Sequence, residues 1–282
     1  MSMKNNKVIV VNGLTRSGTN IFWNLIQSHP QVCSPIKETG KLLYNNKLGK
    51  LAWRMIGMYP EFFTPVHGKI TKYMDNVFYE NKLSNQQHED YSYKSFNEKY
   101  TPDEIKDSVL CLKSVDHDIR LSWYFEKMYH EPYFVGVVRN GYAFCNGWVR
   151  RGRSPKVAGS AYRQFVGRIL EDQKKYKNYL LVRFEDALSK PFETSSSIFQ
   201  FANLEPTKIS NLRLKSKAVL SKNGEHKPKH GKLNSIHWYD QKSITELLDP
   251  KVNQVQADSL SKTDRRHFEG EAMPLLKQLA YL

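Results

Sequence analysis

Short, unbroken apolar runs recur along the chain, each followed by a stretch in which apolar residues return every three or four positions. The first run, Lys7–Val11 (KVIVV), lacks the alternation of a half-exposed strand and predicts a strand buried on both faces. A loop over 12–19 follows. Phe22, Leu25 and Ile26, with Ile21 and Trp23 beside them, then give helical spacing up to His29-Pro30. Further strands are predicted at Val109–Leu112, at 132–140 (PYFVGVVRN) and at 178–186 (NYLLVRFED). Helical spacing is clearest in 119–129 and 160–177, and it resumes in 193–203 through Ile198, Phe199, Phe201 and Ala202. The final EAMPLLKQLAYL suits a closing helix. Short apolar strands alternating with helices predict an α/β fold, a central parallel sheet flanked by helices.

Two segments depart from this rhythm. Residues 40–105 are rich in Tyr, Asn and Lys with weak periodicity, and read as helices and loops inserted between core strands, on the side where an acceptor would bind. Residues 221–235 are rich in Lys, His, Gly and Asn without periodicity, and read as a mobile basic loop. No internal repeat or linker divides the chain, so residues 1–282 read as a single domain.

The composition, 40% hydrophobic and 25% charged, is that of a soluble globular protein. No apolar run approaches the roughly 20 residues of a membrane helix. The start, MSMKNNKVIVV, lacks the apolar core and cleavage site of a secretory signal, which predicts a cytoplasmic protein. Cys33, Cys111 and Cys145 are widely spaced and odd in number, as expected of reduced core thiols. Lys and Arg total 43 against 28 Asp and Glu, a net charge of +15. That balance favours a polyanionic partner: nucleic acid, membrane surface, nucleotide or acidic acceptor. Charge alone leaves all four open.

The loop after the first strand narrows the choice. In VIVVNGLTRSGTN, residues 8–20, Gly13 and Gly18 stand at the glycine separation of the phosphate-loop signature G-x-x-x-x-G-K-[ST]. Thr19 and Asn20 replace its Lys and Ser/Thr, however, and the cation is Arg16, two places before the second glycine. A loop from strand into helix offers open backbone N–H groups and the positive end of the helix dipole. Ser17, Thr19 and Asn20 add side-chain donors, and Arg16 a planar fork suited to phosphate or sulfate oxygens. The Lys for β/γ-phosphates and the hydroxyl for Mg²⁺ are missing, so a metal-bound nucleoside triphosphate is a poor match and a phosphoanhydride that reacts without metal a better one. A glycine turn with no ligand is the plain alternative.

At these residues the chain resembles a known family. GLTRSGTNIFWNLIQSHPQV is similar to the 5′-phosphosulfate loop of sulfotransferases that use 3′-phosphoadenosine 5′-phosphosulfate (PAPS), in the Arg-Ser-Gly-Thr form of tyrosylprotein sulfotransferases and many bacterial members. YFVGVVRNGYAF resembles the family's 3′-phosphate motif, YLLVRFEDALSKPFET its Tyr/Phe-Glu-Asp segment, and LLKQLAYL its closing helix, all in family order. The resemblance implies a P-loop NTPase-like sulfotransferase fold and PAPS as donor, with no metal. It implies a hydroxyl-bearing acceptor, which the charge allows to be anionic, and no nucleic acid. By matching position, Arg16, Ser17, Gly18, Thr19 and Asn20 would hold the 5′-phosphosulfate and Arg139 the 3′-phosphate. Gly147 stands where the family commonly has a Ser, so a backbone N–H or Asn146 would have to replace that hydroxyl. Phe184 matches an aromatic position near the adenine, although a core aromatic is nearly as good a reading. Lys232, with Lys229 or Gly231, would close over the 3′-phosphate.

The same resemblance suggests the reacting groups. Sulfuryl transfer needs a proton acceptor for the attacking hydroxyl and cations for the developing charge. Glu38-Thr39 lies 22 residues after Arg16, one residue further than the catalytic Glu-Thr of tyrosylprotein sulfotransferases. As a base it would work with its pKa raised by burial. The bland reading puts Ser34-Pro35 at the start of a helix and pairs Glu38 with Lys41. Lys113, at the end of the second long strand, would reach the transferred group. Cytosolic sulfotransferases carry a His two residues further on, where this chain has Val115, leaving Asp116 and His117 as reserve candidates. His226, His230 and His237 match no zinc spacing. An atypical P-loop kinase and a non-catalytic nucleotide- or polyanion-binding protein of degenerate sulfotransferase fold are the rival readings. The acceptor itself (glycan, lipid-linked sugar, phenol or peptide tyrosine) is not encoded in any of these motifs, and a glycan or small metabolite hydroxyl is the preferred class.

Overall fold

The computed structural model describes residues 6–45, 47–58, 67–85, 88–216, 218–220, 226–228 and 232–282. Five strands, β1 (Lys7–Gly13), β2 (Val32–Cys33), β3 (Val109–Val115), β4 (Glu131–Val138) and β5 (Tyr179–Arg183), form a wholly parallel sheet in the order β2-β3-β1-β4-β5. The α/β fold read from the apolar runs is the one observed.

Why the runs are continuous is visible in the packing. Successive strand residues point to opposite faces, and here both faces are covered. Val8, Val10, Leu110, Leu112 and Phe134 face one core, built with helices α6 (Ser122–Met128), α8 (Pro155–Lys175) and α13 (Lys262–Gln278). Ile9, Val11, Cys111, Val135 and Val137 face the other, built with α1 (Thr19–Ile26), α10 (Pro191–Phe201) and β6 (Leu212–Lys215). All three cysteines are buried and free, as their composition suggests.

Segment 40–105 carries α2 (Thr39–Leu43), α3 (Lys47–Met58), α4 (His67–Ser84) and α5 (Pro102–Asp107) among its described residues. α5 opens on a capping box in which Thr101 and Glu104 exchange hydrogen bonds. The C-terminal half adds α7 (Gly141–Val149), α9 (Phe184–Ser189), α11 (Gln241–Leu247), α12 (Val252–Asp258) and two small antiparallel ribbons. One pairs β6 with β9 (Ile236–Tyr239), the other β7 (Ala218–Leu220) with β8 (His226–Pro228). Much of the basic stretch 221–235, with Lys229 and Gly231, lies outside the described residues; within it, 226–228 are strand where a loop was expected.

Several boundaries differ from those read off the pattern. The fourth long strand ends at Arg183, and Phe184-Glu185-Asp186 opens a helix, where its acidic pair meets the positive end of the dipole. α1 stops at Ile26, before His29-Pro30. β2 is two residues long, too short to leave a period. The closing helix starts earlier than predicted, with Ser261 accepting from the Asp264 N–H, and runs through Pro274. No helix among the described residues is long and apolar enough to cross a membrane.

Candidate active site

In a parallel sheet, a crevice opens at the carboxyl ends of two neighbouring strands whose following helices leave to opposite faces. β1 and β3 are such a pair, α1 lying in one layer and α6 in the other. The loop 14–18 leaves β1 at this crevice, and Lys113 lies in register with Val11 beside it.

The loop is held residue by residue. Leu14 O accepts from Ser17 N (3.0 Å) and from the Ser17 hydroxyl (2.7 Å), so that hydroxyl points back into the turn. Asp116, itself at φ 53°, accepts from Thr15 N (2.8 Å) and the Thr15 hydroxyl (2.6 Å). Arg16 takes a left-handed φ of 81°, a costly conformation for a residue with a Cβ, and its carbonyl accepts from Arg139 Nη1 at 2.8 Å. Gly18, at φ 92°, caps α1 and packs against the Phe184 ring. Bound this way, the loop leaves the N–H groups of Gly18, Thr19 and Asn20 without acceptors inside the helix, pointing away from it. Arg150 and Arg151 crowd the same end. Burial and these two cations together push the Arg16 guanidinium below its ordinary pKa, the signature of a cluster that an anion would relieve.

A methyl group at Gly18 would stand 2.0 Å from the Phe184 ring, at a φ that L-residues avoid. Gly18→Ala is therefore expected to destabilise the fold by about 1–3 kcal/mol, read as a lower denaturant midpoint. Adding Phe184→Ala should return the steric part of that loss when compared with Phe184→Ala alone. An unchanged midpoint for Gly18→Ala would contradict this packing.

Arg139, 7% exposed, lies beneath the loop rather than on it. Its Nε donates to Asn253 Oδ1 (2.7 Å) and its Nη2 to Gln256 Oε1 (2.6 Å), both on α12, while Nη1 holds Arg16 O. Among the described residues, no carboxylate pairs with it directly. Glu185 approaches through Asn253, which donates to Glu185 Oε1. Burial pushes the guanidinium down to about 10, so it stays charged at neutral pH. Three of its five N–H groups are thus used, leaving two for a ligand. Its face stacks on Phe184 at 4.6 Å from the ring centre. Phe184 is accordingly a buried spacer between the loop and Arg139.

Glu38 and Lys113 meet on the other side of the loop. The helix predicted to start at Ser34-Pro35 starts at Thr39 instead, and Glu38 is its extended N-cap residue, with no capping bond from its side chain. The carboxylate is thereby free to turn outward. Its Oε1 lies 2.9 Å from Lys113 Nζ and its Oε2 2.9 Å from Lys41 Nζ. Thr39 ties the turn to β3 by donating to Lys113 O (3.1 Å), and Asp118 accepts from Gly40 N (2.9 Å) and from Trp53 Nε1 (2.6 Å). Asp118 is buried, which raises its carboxyl to about 6, and a side chain at Gly40 would strike it at 2.4 Å. This close docking fixes where Glu38 stands.

Burial acts on Glu38 in the direction expected of a base, but Lys113 and Lys41 outweigh it, and the carboxyl is held below its ordinary pKa. The expectation of a raised pKa is corrected accordingly: two ammonium groups at 2.9 Å stabilise the anion more than partial burial penalises it. Lys113 is 3% exposed, and burial lowers its pKa while Glu38 partly restores it. Its ammonium also donates to Asn20 Oδ1 (2.5 Å) and lies 4.6 Å over the Trp23 ring. Lys113 therefore links the base candidate to the phosphate-loop candidate.

Around this pair is a pocket of about 280 Å³ with Asn20, Trp23, Lys37, Glu38, Lys41, Tyr91, Lys113 and Lys215 in its walls. Lys215, on β6, donates to the Tyr91 hydroxyl at 2.9 Å. Four lysines surround one carboxylate, so the pocket is strongly cationic.

Arg16, Ser17, Gly18, Thr19, Asn20, Arg139 and Phe184 thus form one connected assembly, and Asn20, Lys113 and Glu38 another that touches it. Gly147, on α7, adjoins Arg16; a Cβ there would meet only the Arg16 Cβ, at 3.9 Å, so a serine would fit. Lys232 is exposed in the turn before β9, with its carbonyl accepting from Ser235. Asp116 serves the loop, and His117 packs edge-on against Phe165, so neither reserve candidate joins Glu38. His237 bonds to Ser235, and among the described residues no three His, Cys, Asp or Glu side chains gather as a metal-ligand set. Sequence reasoning missed Lys215, Tyr91, Asp118, Asn253 and Gln256. Only the even spacing of Arg213 and Lys215 on a short apolar-polar strand hinted at any of them.

No family model and no curated protein matches the chain. Among solved structures it is similar to the sulfotransferase domain from the Synechococcus PCC 7002 olefin synthase (18% identity, 95% of each chain, TM-score 0.48). It is also similar to the sulfotransferase domain from the curacin biosynthetic pathway (14% identity, 98% of each chain, TM-score 0.47). A third is the sulfotransferase from Alicyclobacillus acidocaldarius (14% identity, 72% of this chain and 83% of that one, TM-score 0.44). The likeness assigns no residue a role.

Proposed function

We propose that the chain transfers a sulfuryl group from PAPS to an acceptor hydroxyl. The observation that carries the reading is the Glu38–Lys113 pair at 2.9 Å, joined through Asn20 to the loop that holds Arg16 and the open N–H groups at the start of α1. A carboxylate, a buried ammonium and an anion cradle side by side are what metal-independent transfer of an anionic group needs.

The residues fit the donor. Gly18, Thr19, Asn20 and Arg16 would hold its 5′-phosphosulfate, and the two remaining N–H groups of Arg139 its 3′-phosphate. At Gly147 a backbone N–H, or the neighbouring Asn146, would replace a serine hydroxyl, and Lys232 would close over the 3′-phosphate. When bound, PAPS supplies an activated sulfuryl group on a good leaving phosphate. Glu38 accepts the proton of the attacking hydroxyl. Lys113 and Arg16 stabilise the negative charge that gathers on the oxygens around sulfur. Trp23 and Tyr91 give the acceptor flat walls, and the surrounding lysines favour one that is anionic, with a glycan or small metabolite hydroxyl the preferred class.

Binding tests the reading before any acceptor is known. Adenosine 3′,5′-bisphosphate in EDTA should raise the melting temperature, since a ligand at about 100 times its Kd adds about 2.7 kcal/mol of stability. Arg16→Ala, which leaves the fold's interior untouched, should remove the shift. Stabilisation by ATP with Mg²⁺ alone would overturn the proposal in favour of an unusual kinase.

A further inference from the structure

A helix on the surface of a core normally buries one apolar stripe and turns charged residues to solvent. α3 does more. Gly49, Ala52 and Ile56 form its buried stripe, and Trp53 and Met55 pack half-buried against the core beside it. Residues three and four apart share a helix face. Lys47, Lys50 and Arg54 thus make one exposed stripe, and Leu48 and Leu51 a second, apolar one next to it. The leucines are 55% and 53% exposed, and Tyr44, just before the helix, is 42% exposed with Lys50 5.8 Å over its ring. These are three of the eight large apolar side chains exposed among the described residues, and the other five are scattered along the chain. An apolar side chain exposed singly needs no explanation, whereas a group of them beside cations does.

The sequence around this patch has charges of one sign. Residues 39–60 contain Lys41, Lys47, Lys50 and Arg54 and no Asp or Glu. Lys41 is engaged by Glu38, and the other three flank the leucines. A helix that turns leucines outward beside a basic stripe suits a lipid interface, where the leucines enter the acyl boundary and the long cationic side chains reach anionic headgroups. A protein partner fits less well. Protein interfaces are enriched in Arg and depleted in Lys, and two of the three flanking cations are lysines.

We propose that α3, with Tyr44, is a docking face for an anionic phospholipid surface, Leu48 and Leu51 entering the lipid and Lys47, Lys50 and Arg54 meeting headgroup phosphates. The net charge of +15 draws the whole chain to such a surface, and the leucines select the face that meets it. α2 joins this face to Glu38, so docking brings the reaction pocket close to the lipid.

The full chain is sedimented with vesicles of phosphatidylcholine alone and of phosphatidylcholine mixed with phosphatidylglycerol. Binding is expected to the mixed vesicles only, and salt should weaken it by screening the headgroups. Lys47→Ala with Lys50→Ala should lower the affinity by roughly 10–30-fold. Leu48→Ser with Leu51→Ser should lower it by roughly 10-fold or more at unchanged charge. Lys174→Ala with Lys175→Ala removes the same charge from exposed positions on α8 and should leave it nearly unchanged. A Leu48→Trp variant should gain emission that brominated phospholipid quenches, which charge attraction without insertion cannot produce. All these side chains are exposed, so the fold is not at stake. Equal weakening by the two lysine pairs would overturn the proposal and leave only general basicity. An unquenched indole at position 48, or no vesicle binding, would overturn it in favour of an acidic protein on this face. No readout here depends on whether the chain binds PAPS.

Discussion

Glu38→Gln is expected to lower turnover by about 10²–10⁴-fold, the usual contribution of a positioned general base, while leaving the melting shift with adenosine 3′,5′-bisphosphate intact. Glutamine keeps the shape of the side chain and one hydrogen-bond acceptor toward Lys113, but it cannot take a proton. The pH profile carries the finer test. Because Lys113 and Lys41 hold the carboxyl below its ordinary value, Glu38 is ionised throughout the neutral range. The acid limb of the rate profile should therefore fall below the usual glutamate pKa, with no loss between pH 7 and 5 attributable to this group. A variant with wild-type turnover would remove Glu38 from the chemistry and leave a binding module as the better account.

Much of this site was legible because the sequence encodes it locally. A continuous apolar run, two glycines and an arginine specify a buried strand, a turn and a charge. The structure joins them in sequence order, with Gly18 taking a backbone conformation that a side chain would obstruct. Glu38 was found through its family spacing, yet its electrostatics were misjudged. The burial and the neighbouring Lys41 could be read locally, whereas the second ammonium could not, since Lys113 lies 75 residues away on another element. Arg139 shows the same limit. Its strand delivers it as the pattern predicts, but the partners that decide its position, Asn253 and Gln256, sit on a short helix more than a hundred residues later. Asn-Gln pairs have no period and no spacing signature. Phe184 was ambiguous between ligand and core for a related reason. Its role follows from touching Gly18 on one side and Arg139 on the other, a tertiary coincidence that no window of sequence contains.

Lys113→Met should cost turnover about 10²–10³-fold, in the range measured for single preorganised donors at developing negative charge, and it should also move the pH profile. Methionine fills the same buried volume beside Trp23 without a charge, so the packing under α1 survives. What changes is the balance at Glu38. With Lys113 gone, only Lys41 faces the carboxylate, and its side chain is 68% exposed and so screened by solvent. Burial, which already acts to raise the Glu38 pKa, then dominates, and the acid limb of the residual activity moves upward in pH. A merely structural lysine would lower stability and leave that limb where it was. If Lys113→Met reduces turnover with no upward displacement of the limb, the titrating group is not Glu38, and the proton must be taken by a residue beyond the reach of Lys113.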